Sequence, residues 1–527
     1  MYGHSFQESP HMTTTDSLFS YAPSVVKSKL LESLLPQVEQ LFESAQAGAS
    51  ERVLESDVWK VLLEFGRLLL TALFAMQARR ATEQEIQARG LDGSQVSPRL
   101  DRDYWYTFTT TFGAVRFPLF AYRDRNGTVT TTTRAPARTL FPLHQHCRSS
   151  QLCLEWEARL GSEHPFRAAQ QALTFFTHGA VSLEDTTIAS HMAAVGSIVD
   201  WRWVYRPVQQ IRQILRTRAT RDAETGRPII YASCDAHALR RYVDDTWSAA
   251  WKMANGLRLW CIDQRTGQLV HLGGEYTWGD CYEVERIVRR LIDSGHLPAD
   301  GDYGDGVVAR IAWITDGMPW FETHILTLFA GALVILDGYH VLEHLGKFAA
   351  AVWGKGHDKA RRFYNQARNA LFGTRRVRTA KPKARKGHRK RPRALTMAHK
   401  RNLEARRNRK ATTNAEPLLD LLRRVKVPVE GVSALEDIVR YIGNNAYRMD
   451  YARYIELGYQ IGSGAMESLH RVASQLRLKR PGPGWLPETA QAVFNLRMLA
   501  LVGRWDEFWN QPALADCLVT AFQASSH

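Results

Sequence analysis

The sequence predicts a mixed α/β core flanked by helical regions, and three observations predict it. Short runs rich in β-branched and aromatic residues end on acids at Asp235, Asp316 and Asp337. An amphipathic helical pattern separates the later runs, as parallel crossovers require. Helical periodicity dominates residues 24–90 and the stretch from His340 to about Arg448.

Taken in order, the first elements are helices. Leu30, Leu34 and Leu35, then Val38, Leu41 and Phe42, keep one apolar stripe, as do Val61, Leu62, Phe65, Leu68 and Leu69. The apolar run Val61 to Met76 is interrupted by Glu64 and Arg67 and reads as too short and too charged to span a bilayer. Tyr104 to Thr133 is rich in Thr, Phe, Tyr and Val and contains Asn126-Gly127, the signature of a hairpin. His144, His146, Cys147 and Cys153 lie close together, but their spacing matches no standard zinc finger and no Cys-x-x-Cys pair is present. Satisfied loop side chains are the default reading and zinc the alternative. Residues 165–200 read as a helix, a short turn and a second helix that Ser182 can cap. Thr186, Thr187, Ser190 and His191 would then face outward, as in a helix-turn-helix reader of DNA; a plain helical hairpin remains open.

The β pattern starts at Ile229. Ile229 to Cys234 is a buried-looking strand ending on Asp235, Leu257 to Ile262 a second, and Leu269 to Tyr276 a third. Asp280 to Ser294 is a helix with Val284, Ile287, Val288 and Leu291 inward. Val307 to Thr315 is a fourth strand, ending on Asp316. Phe321 to Phe329 is a helix, and Ala332 to Leu336 a fifth strand, ending on Asp337. The order is β-β-β-α-β-α-β, the first three strands antiparallel and the rest joined by parallel crossovers. Late in the chain a helix from Glu467 to about Lys479 places Arg471, Ser474 and Leu478 on the face of Glu467. Pro481-Gly482-Pro483-Gly484 stops it, and a last helix runs from Pro487 through Phe508.

Charge is concentrated rather than spread. The 527 residues carry a formal +16, and Arg375 to Lys410 holds 17 Lys or Arg against one acid, Glu404, so the remainder is formally neutral. Such a run cannot pack into a core, and its natural partner is a polyanion, above all nucleic acid. Arg385, Lys386, Arg389, Lys390, Arg391, Arg406 and Arg407 are its candidate phosphate contacts. Six cysteines without disulfide density and a polar start from Met1 to Pro23 lead to the expectation of a reduced intracellular protein, cytoplasmic and nucleoid-associated, with no membrane partner.

Acids at the ends of central strands open onto the crevice of an α/β sheet. In an RNase H-like sheet the strands ending on Asp235 and Asp316 are neighbours. Two carboxylates side by side repel each other unless a cation lies between them. Glu467 supplies a third hard oxygen, which favours Mg²⁺ or Mn²⁺ over zinc. Capping of the following turns is the plainer reading of either Asp alone.

These residues also resemble a known family. SCDAH at Asp235, ITDGMPW at Asp316, ILDGYHVLEHL at Ile335 to Leu345, IGSGAMES through RLKRPGPGW at Ile461 to Trp485 and NLRMLALVGRWDEFW at Asn495 to Trp509 look like a bacterial insertion-sequence transposase of the DDE type, in the Mutator-like group and close to the ISKra-type elements. The resemblance covers roughly residues 225–510. It implies an α/β RNase H-like catalytic core (β-β-β-α-β-α-β-α) with a helical insertion and a mostly α-helical N-terminal DNA-binding region. It implies Asp235, Asp316 and Glu467 as catalytic acids that bind two Mg²⁺ (or Mn²⁺) ions. Asp337 with His340 matches the family's D-x-x-H signature. Asp337 is thus an alternative ligand; Asp316 is preferred because its strand follows the crossover helix. His340, Arg471, Arg477 and Lys479 would position the strand. The chain departs from the family at Asp235-Ala236-His237, where Asp-Gly is usual.

The expected segments are a helical N-terminal region (1–100), a small β-rich segment (101–150), a helix-turn-helix-like region (151–222), the first part of the core (223–346), a helical insertion with the basic arm 375–410 (347–455) and the C-terminal helices of the core (456–527). The expected function is metal-dependent cleavage and strand transfer on double-stranded DNA, at the terminal inverted repeats of an element and at target DNA, by a homodimer or higher homo-oligomer. A catalytically inactive DNA-binding descendant and an RNase H-like nuclease without strand transfer are the alternatives.

Overall fold

A computed structural model describes residues 23–99, 105–123, 129–130, 141, 147–243, 248–372, 415–480 and 484–524. It divides into two compact units. One comprises Met1–Trp203, Arg241–Ala249 and Arg480–His527; the other comprises Val204–Arg240 and Ala250–Lys479. The first division therefore falls inside the expected 151–222 segment, and the last inside 456–527.

In the first unit, helices Pro23–Gln46 and Glu51–Ala88 are followed by strands β1 (Val96–Arg99), β2 (Trp105–Thr110), β3 (Gly113–Arg123) and β4 (Val129–Thr130), with β3 between β1 and β2. Alternation drives this sheet onto the long helix. Tyr106, Phe108, Val115, Phe117, Leu119 and Phe120 form one cluster with Ala75, Ala78 and Ile86. The principal hairpin turns at Thr111-Phe112, between β2 and β3. Asn126-Gly127 lies outside the described residues, between the antiparallel pair β3 and β4. The N-terminal stripes are covered only in part among the described residues. Val26 and Leu30 pack with Leu68 and Ala72, whereas Leu35, Val38, Phe42, Leu62 and Phe65 are exposed. The helix around Val61 to Met76 is also longer than the apolar run suggests. At 38 residues, Glu51–Ala88 is long and apolar enough to cross a membrane by length and composition, and the half after Leu68 is a core helix against the sheet.

Helices Gln151–Glu163, Phe166–Phe176 and Asp185–Ser197 complete the unit with Pro487–Val502, Trp505–Trp509 and Leu514–Ala524. Asp185–Ser197 and Pro487–Val502 approach closely because Gly196 has no side chain: a Cβ there would stand 2.3 Å from Ala492 Cβ. Ordinarily Gly→Ala in a helix gains about 0.5–1 kcal/mol, but overpacking costs roughly 1–3 kcal/mol. Gly196→Ala is expected to lower stability by about 1 kcal/mol. Gly443→Ala, in helix Val432–Asn445 with nothing within 4 Å, is expected to raise it by about 0.5–1 kcal/mol. Denaturant midpoints of the two variants check this pair of opposite signs.

The second unit is a mixed α/β core. Strands β5 (Ile229–Val243), β6 (Ser248–Ile262), β7 (Leu269–Thr277), β8 (Arg310–Thr315) and β9 (Leu333–Leu336) lie in the order β7-β6-β5-β8-β9. Of these strands, only the ends of β5 and β6 within Arg241–Ala249 fall in the first unit. The β6/β7 pair is antiparallel, and β5/β8 and β8/β9 are parallel. Helix Cys281–Asp293 joins β7 to β8. Asp280 caps it by accepting from Tyr282 N–H, and Val284, Ile287, Val288 and Leu291 are buried. One cluster unites Ile229, Tyr231, Trp260, Ala312, Ile314 and Ile335 with Val341, Leu342, Leu345 and Phe348 of helix Gly338–Trp353. Helices Asp358–Phe372, Ala415–Arg424 and Val432–Asn445 add Phe363, Leu371, Leu418, Leu422, Ile438 and Ile442 to that cluster. The described part of 347–455 thus belongs to the same core.

Four expected elements are corrected. The first strand does not end at Asp235 but runs on to Val243, and β6 starts at Ser248 rather than Leu257. Ala236 stands where a turn glycine was expected, and an alanine gives the chain no reason to leave extended conformation. The expected strand Val307 to Thr315 starts only at Arg310. The expected helix Phe321 to Phe329 is a short helix, Pro319–His324, then a 3₁₀ turn, Leu326–Leu328.

Candidate functional site

The parallel register of β5 on β8 pairs Ala232 with Trp313. Asp235 lies three residues beyond that pair on β5 and Asp316 just past the end of β8, and their carboxylates feel each other. Burial, then the charge of Asp235, raises the Asp316 carboxyl above its ordinary value, with smaller lowering contributions from Met318 N–H and the His340 charge. Asp235 goes the other way. Burial alone would raise it, but the hydrogen bond and charge of His470, with the N–H of Ala236, lower it.

His470 is the residue the sequence reading missed. Its Nε2 lies 3.3 Å from Asp235 Oδ2, and its Nδ1 lies 3.0 Å from the Tyr276 hydroxyl. An ionised carboxylate only accepts, so Nε2–H donates to Asp235. Asp235 Oδ1 accepts from Ala236 N–H at 2.7 Å. His237, two residues after Asp235, stands 2.5 Å from Ser474 Oγ through Nε2, and its ring centre is 4.4 Å from that of His470. Burial, then the charges of His470 and Lys479, pushes the His237 imidazole down to about 3, so it is neutral. Gly256 makes room for this cluster: a Cβ there would meet Met466 and Tyr276 at 2.6 and 2.8 Å. Arg258, buried in β6, donates to the Ala465 carbonyl and ties the next helix to the sheet.

That helix differs from the expected one. Gly464–Leu469 is α-helical, His470–Gln475 is a π-helix, and Leu476–Leu478 closes the segment. A π turn adds a residue to the repeat and shifts everything beyond it around the axis. Glu467 and Arg471 are consequently exposed while Ser474 and Leu478 are buried, so the four do not share a face. His470, at the start of the π turn, and Ser474, within it, both point inward, onto Asp235 and His237 respectively. Position alone held two signals. His237 follows Asp235 by the strand period of two, and His470 follows Glu467 by one helical turn.

The other expected residues fall into place unevenly. Glu467 is exposed, one turn ahead of His470, and is not among the charges that shift Asp235 or Asp316. Among the described residues no group of three or more His, Cys, Asp or Glu stands arranged to hold a metal ion. Asp337 is buried and its oxygens are occupied. Oδ1 accepts from the N–H groups of Tyr339 (2.7 Å) and His340 (3.2 Å), and Oδ2 from the Ser463 N–H (3.0 Å) and hydroxyl. His340 is half-buried, Arg471 and Lys479 are exposed, and Arg477 is buried, which removes it from contact with a DNA strand as the side chains lie.

In the first unit the predicted helix-turn-helix segment is two helices, Phe166–Phe176 and Asp185–Ser197. Thr186 and Ser190 are exposed and Thr187 is half-buried. His191 is not offered outward: its Nδ1 is 2.6 Å from Glu157, a fully buried acid, and its Nε2 is 3.6 Å from Cys147 Sγ. Burial opposes the charge, but Cys147 and Glu157 together push the imidazole up to about 10. Ser182 does not cap its helix; Glu184 holds the N-cap position. Cys147 and Cys153 are buried, while His144, His146 and the whole arm 375–410, with Arg385, Lys386, Arg389, Lys390, Arg391, Arg406 and Arg407, lie outside the described residues.

No family model and no curated protein matches the chain. Among solved structures it is similar to the Drosophila P element transposase strand transfer complex, at 13% identity, over 72% of this chain and 86% of that one. The TM-score is 0.22, and a likeness that loose carries no argument about topology or activity.

Proposed function

We propose that the chain is a DDE-type DNA transposase, close to the Mutator-like, ISKra-type insertion-sequence enzymes, with an RNase H-like core. The observation that carries the reading is the placement of Asp235 in β5 and Asp316 just past β8, the parallel neighbour of β5, where burial and then the charge of Asp235 raise the Asp316 carboxyl. A structural protein gains nothing from that repulsion; a cation site uses it. The sheet order, with an antiparallel β6/β7 pair and parallel β8 and β9, supports the RNase H-like reading.

The donors are hard oxygens, a chemistry suited to Mg²⁺ or Mn²⁺; Asp235 and Asp316 would hold two such ions, with Glu467 as third ligand once its exposed carboxylate turns toward them. When bound, the ions would supply Lewis-acid charge and an activated water for in-line attack on a phosphodiester. Asp235 enters that site with one oxygen oriented by His470, itself oriented by Tyr276. His237, neutral and anchored on Ser474, lines it without adding charge. Arg471 and Lys479 offer exposed cations to the DNA backbone. The reaction is hydrolysis at the element's end, followed by attack of the freed 3′-OH on target DNA. The arm 375–410 holds DNA without sequence preference, Thr186, Thr187 and Ser190 face the terminal repeat, and a homodimer brings two ends together.

The test incubates the full chain with Mg²⁺ and duplexes carrying the repeats that flank its gene. Nicking at the repeat end with joined products is expected. Cleavage without joining would assign a nuclease, and binding without cleavage a DNA-binding descendant.

A further inference from the structure

Helix Gly338–Trp353 contains His340-Val341-Leu342-Glu343-His344, two imidazoles four residues apart with an acid between them. Residues at that spacing share a helix face. Here His344 Nε2 lies 3.0 Å from His340 Nε2, with ring centres 4.6 Å apart and planes at 78°. Both rings therefore turn the same nitrogen to one point. His344 is held from behind, its ring stacked on Tyr441 at 4.6 Å and 27°, and the Tyr441 hydroxyl donates to the Asp316 carbonyl at 3.1 Å. Glu343 lies on the other side of His340, 3.8 Å from Nδ1, and its carboxylate pairs with Lys347 at 2.8 Å. That pairing offsets the nearest cation.

Metal–imidazole bonds are about 2.0–2.1 Å long, so nitrogens 3.0 Å apart subtend roughly 90–95° at a shared ion. That is an ordinary angle between adjacent ligands. The arrangement, two histidines on one helical face with a carboxylate beside them, is the one helices use to chelate zinc.

We propose that His340 and His344 form a bidentate site for a borderline divalent transition ion of the Zn²⁺ class, separate in ligand chemistry from the oxygen donors of Asp235 and Asp316. Imidazole nitrogens select such ions over Mg²⁺. No third His, Cys, Asp or Glu among the described residues completes the set, so water fills the remaining positions and the ion is exchangeable. Glu343, at 3.8 Å too far from Nδ1 to hydrogen-bond, places its negative charge on that side of the His340 ring. An occupied site places positive charge next to Asp316, whose carboxyl already feels His340.

The proposal does not depend on the transposase reading, because its test needs no DNA. Zn²⁺ is titrated calorimetrically into the full-length wild type, His344→Asn, His340→Gln and Asp235→Ala. Wild type and Asp235→Ala are expected to show one binding event that both histidine variants lose or weaken by at least about tenfold. Equal Zn²⁺ isotherms for wild type and both histidine variants overturn the site. Loss in Asp235→Ala as well would assign the ion to the acids and overturn it too. His340 is half-buried, so His340→Gln keeps the test decisive if His344→Asn, which breaks the stack on Tyr441, fails to fold; thermal melts of each variant report this.

Discussion

Asp316→Asn is expected to melt higher than the wild type at neutral pH and to cleave no DNA. Burial and the neighbouring Asp235 raise the Asp316 carboxyl in the folded protein. A raised acid ionises more readily in the unfolded chain, so folding is penalised once pH exceeds the ordinary carboxylate value, and fully above the folded one. Asparagine removes the penalty, and the gain fades as pH falls below the ordinary carboxylate range. Asp235→Asn should show the opposite sign. His470 and Ala236 lower that carboxyl, so its ionised form stabilises the fold at neutral pH, and the wild type loses that contribution as pH falls through the folded value. Activity should fall on the order of 10³-fold or more in both, the several kcal/mol a metal centre supplies. Mg²⁺ should raise the melting temperature of wild type and leave both variants unmoved. An Asp316→Asn protein that is less stable, or still cleaves, would falsify the assignment of this pair.

What could be read from the sequence and what could not divide along a physical line. Helix Cys281–Asp293 was legible because Val284, Ile287, Val288 and Leu291 share a face and Asp280 caps it, all within one element. The adjacency of Asp235 and Asp316 was legible because each follows a run of buried residues, and β5 and β8, which hold those runs, are neighbours in the sheet. The continuation of β5 to Val243 was not, since residues beyond Asp235 are held extended by pairing with another strand. The π-helix His470–Gln475 was not legible, since no residue pattern in HRVASQ announces it, although His470 itself stands one helical turn after Glu467. His191 was read as outward because its helix face is polar. Its inward turn is decided by Glu157, a buried acid 34 residues upstream in the chain. Such long-range polar pairings determine which members of a plausible set meet.

Asp337 is the strongest instance, and its replacement gives the other large effect. Asp337→Ala is expected to lower stability by about 3 kcal/mol, of which about 1 kcal/mol is the lost N-cap and about 1.5–3 kcal/mol the charged hydrogen bonds to Ser463. Both oxygens are used, Oδ1 on Tyr339 and His340 N–H and Oδ2 on Ser463. Ser463 sits in the Gly462-Ser463-Gly464 turn that launches helix Gly464–Leu469, so Asp337 fixes where Glu467 and His470 begin. Cleavage should therefore drop as well, but as positioning: Ser463→Ala should reproduce part of both losses. Asp337→Asn should recover the cap, because its amide oxygen can face Tyr339 N–H. It should not recover the Ser463 N–H contact, because its NH₂ would then face another N–H donor, although the Ser463 hydroxyl can turn to accept. The decisive readout is Mg²⁺ in a denaturation series. Asp337→Ala should start less stable yet keep the Mg²⁺-induced rise that Asp316→Asn loses. If Asp337→Ala instead denatures like wild type and no longer responds to Mg²⁺, Asp337 is itself a ligand, and the carboxyl oxygens that hold Ser463 must turn to the metal.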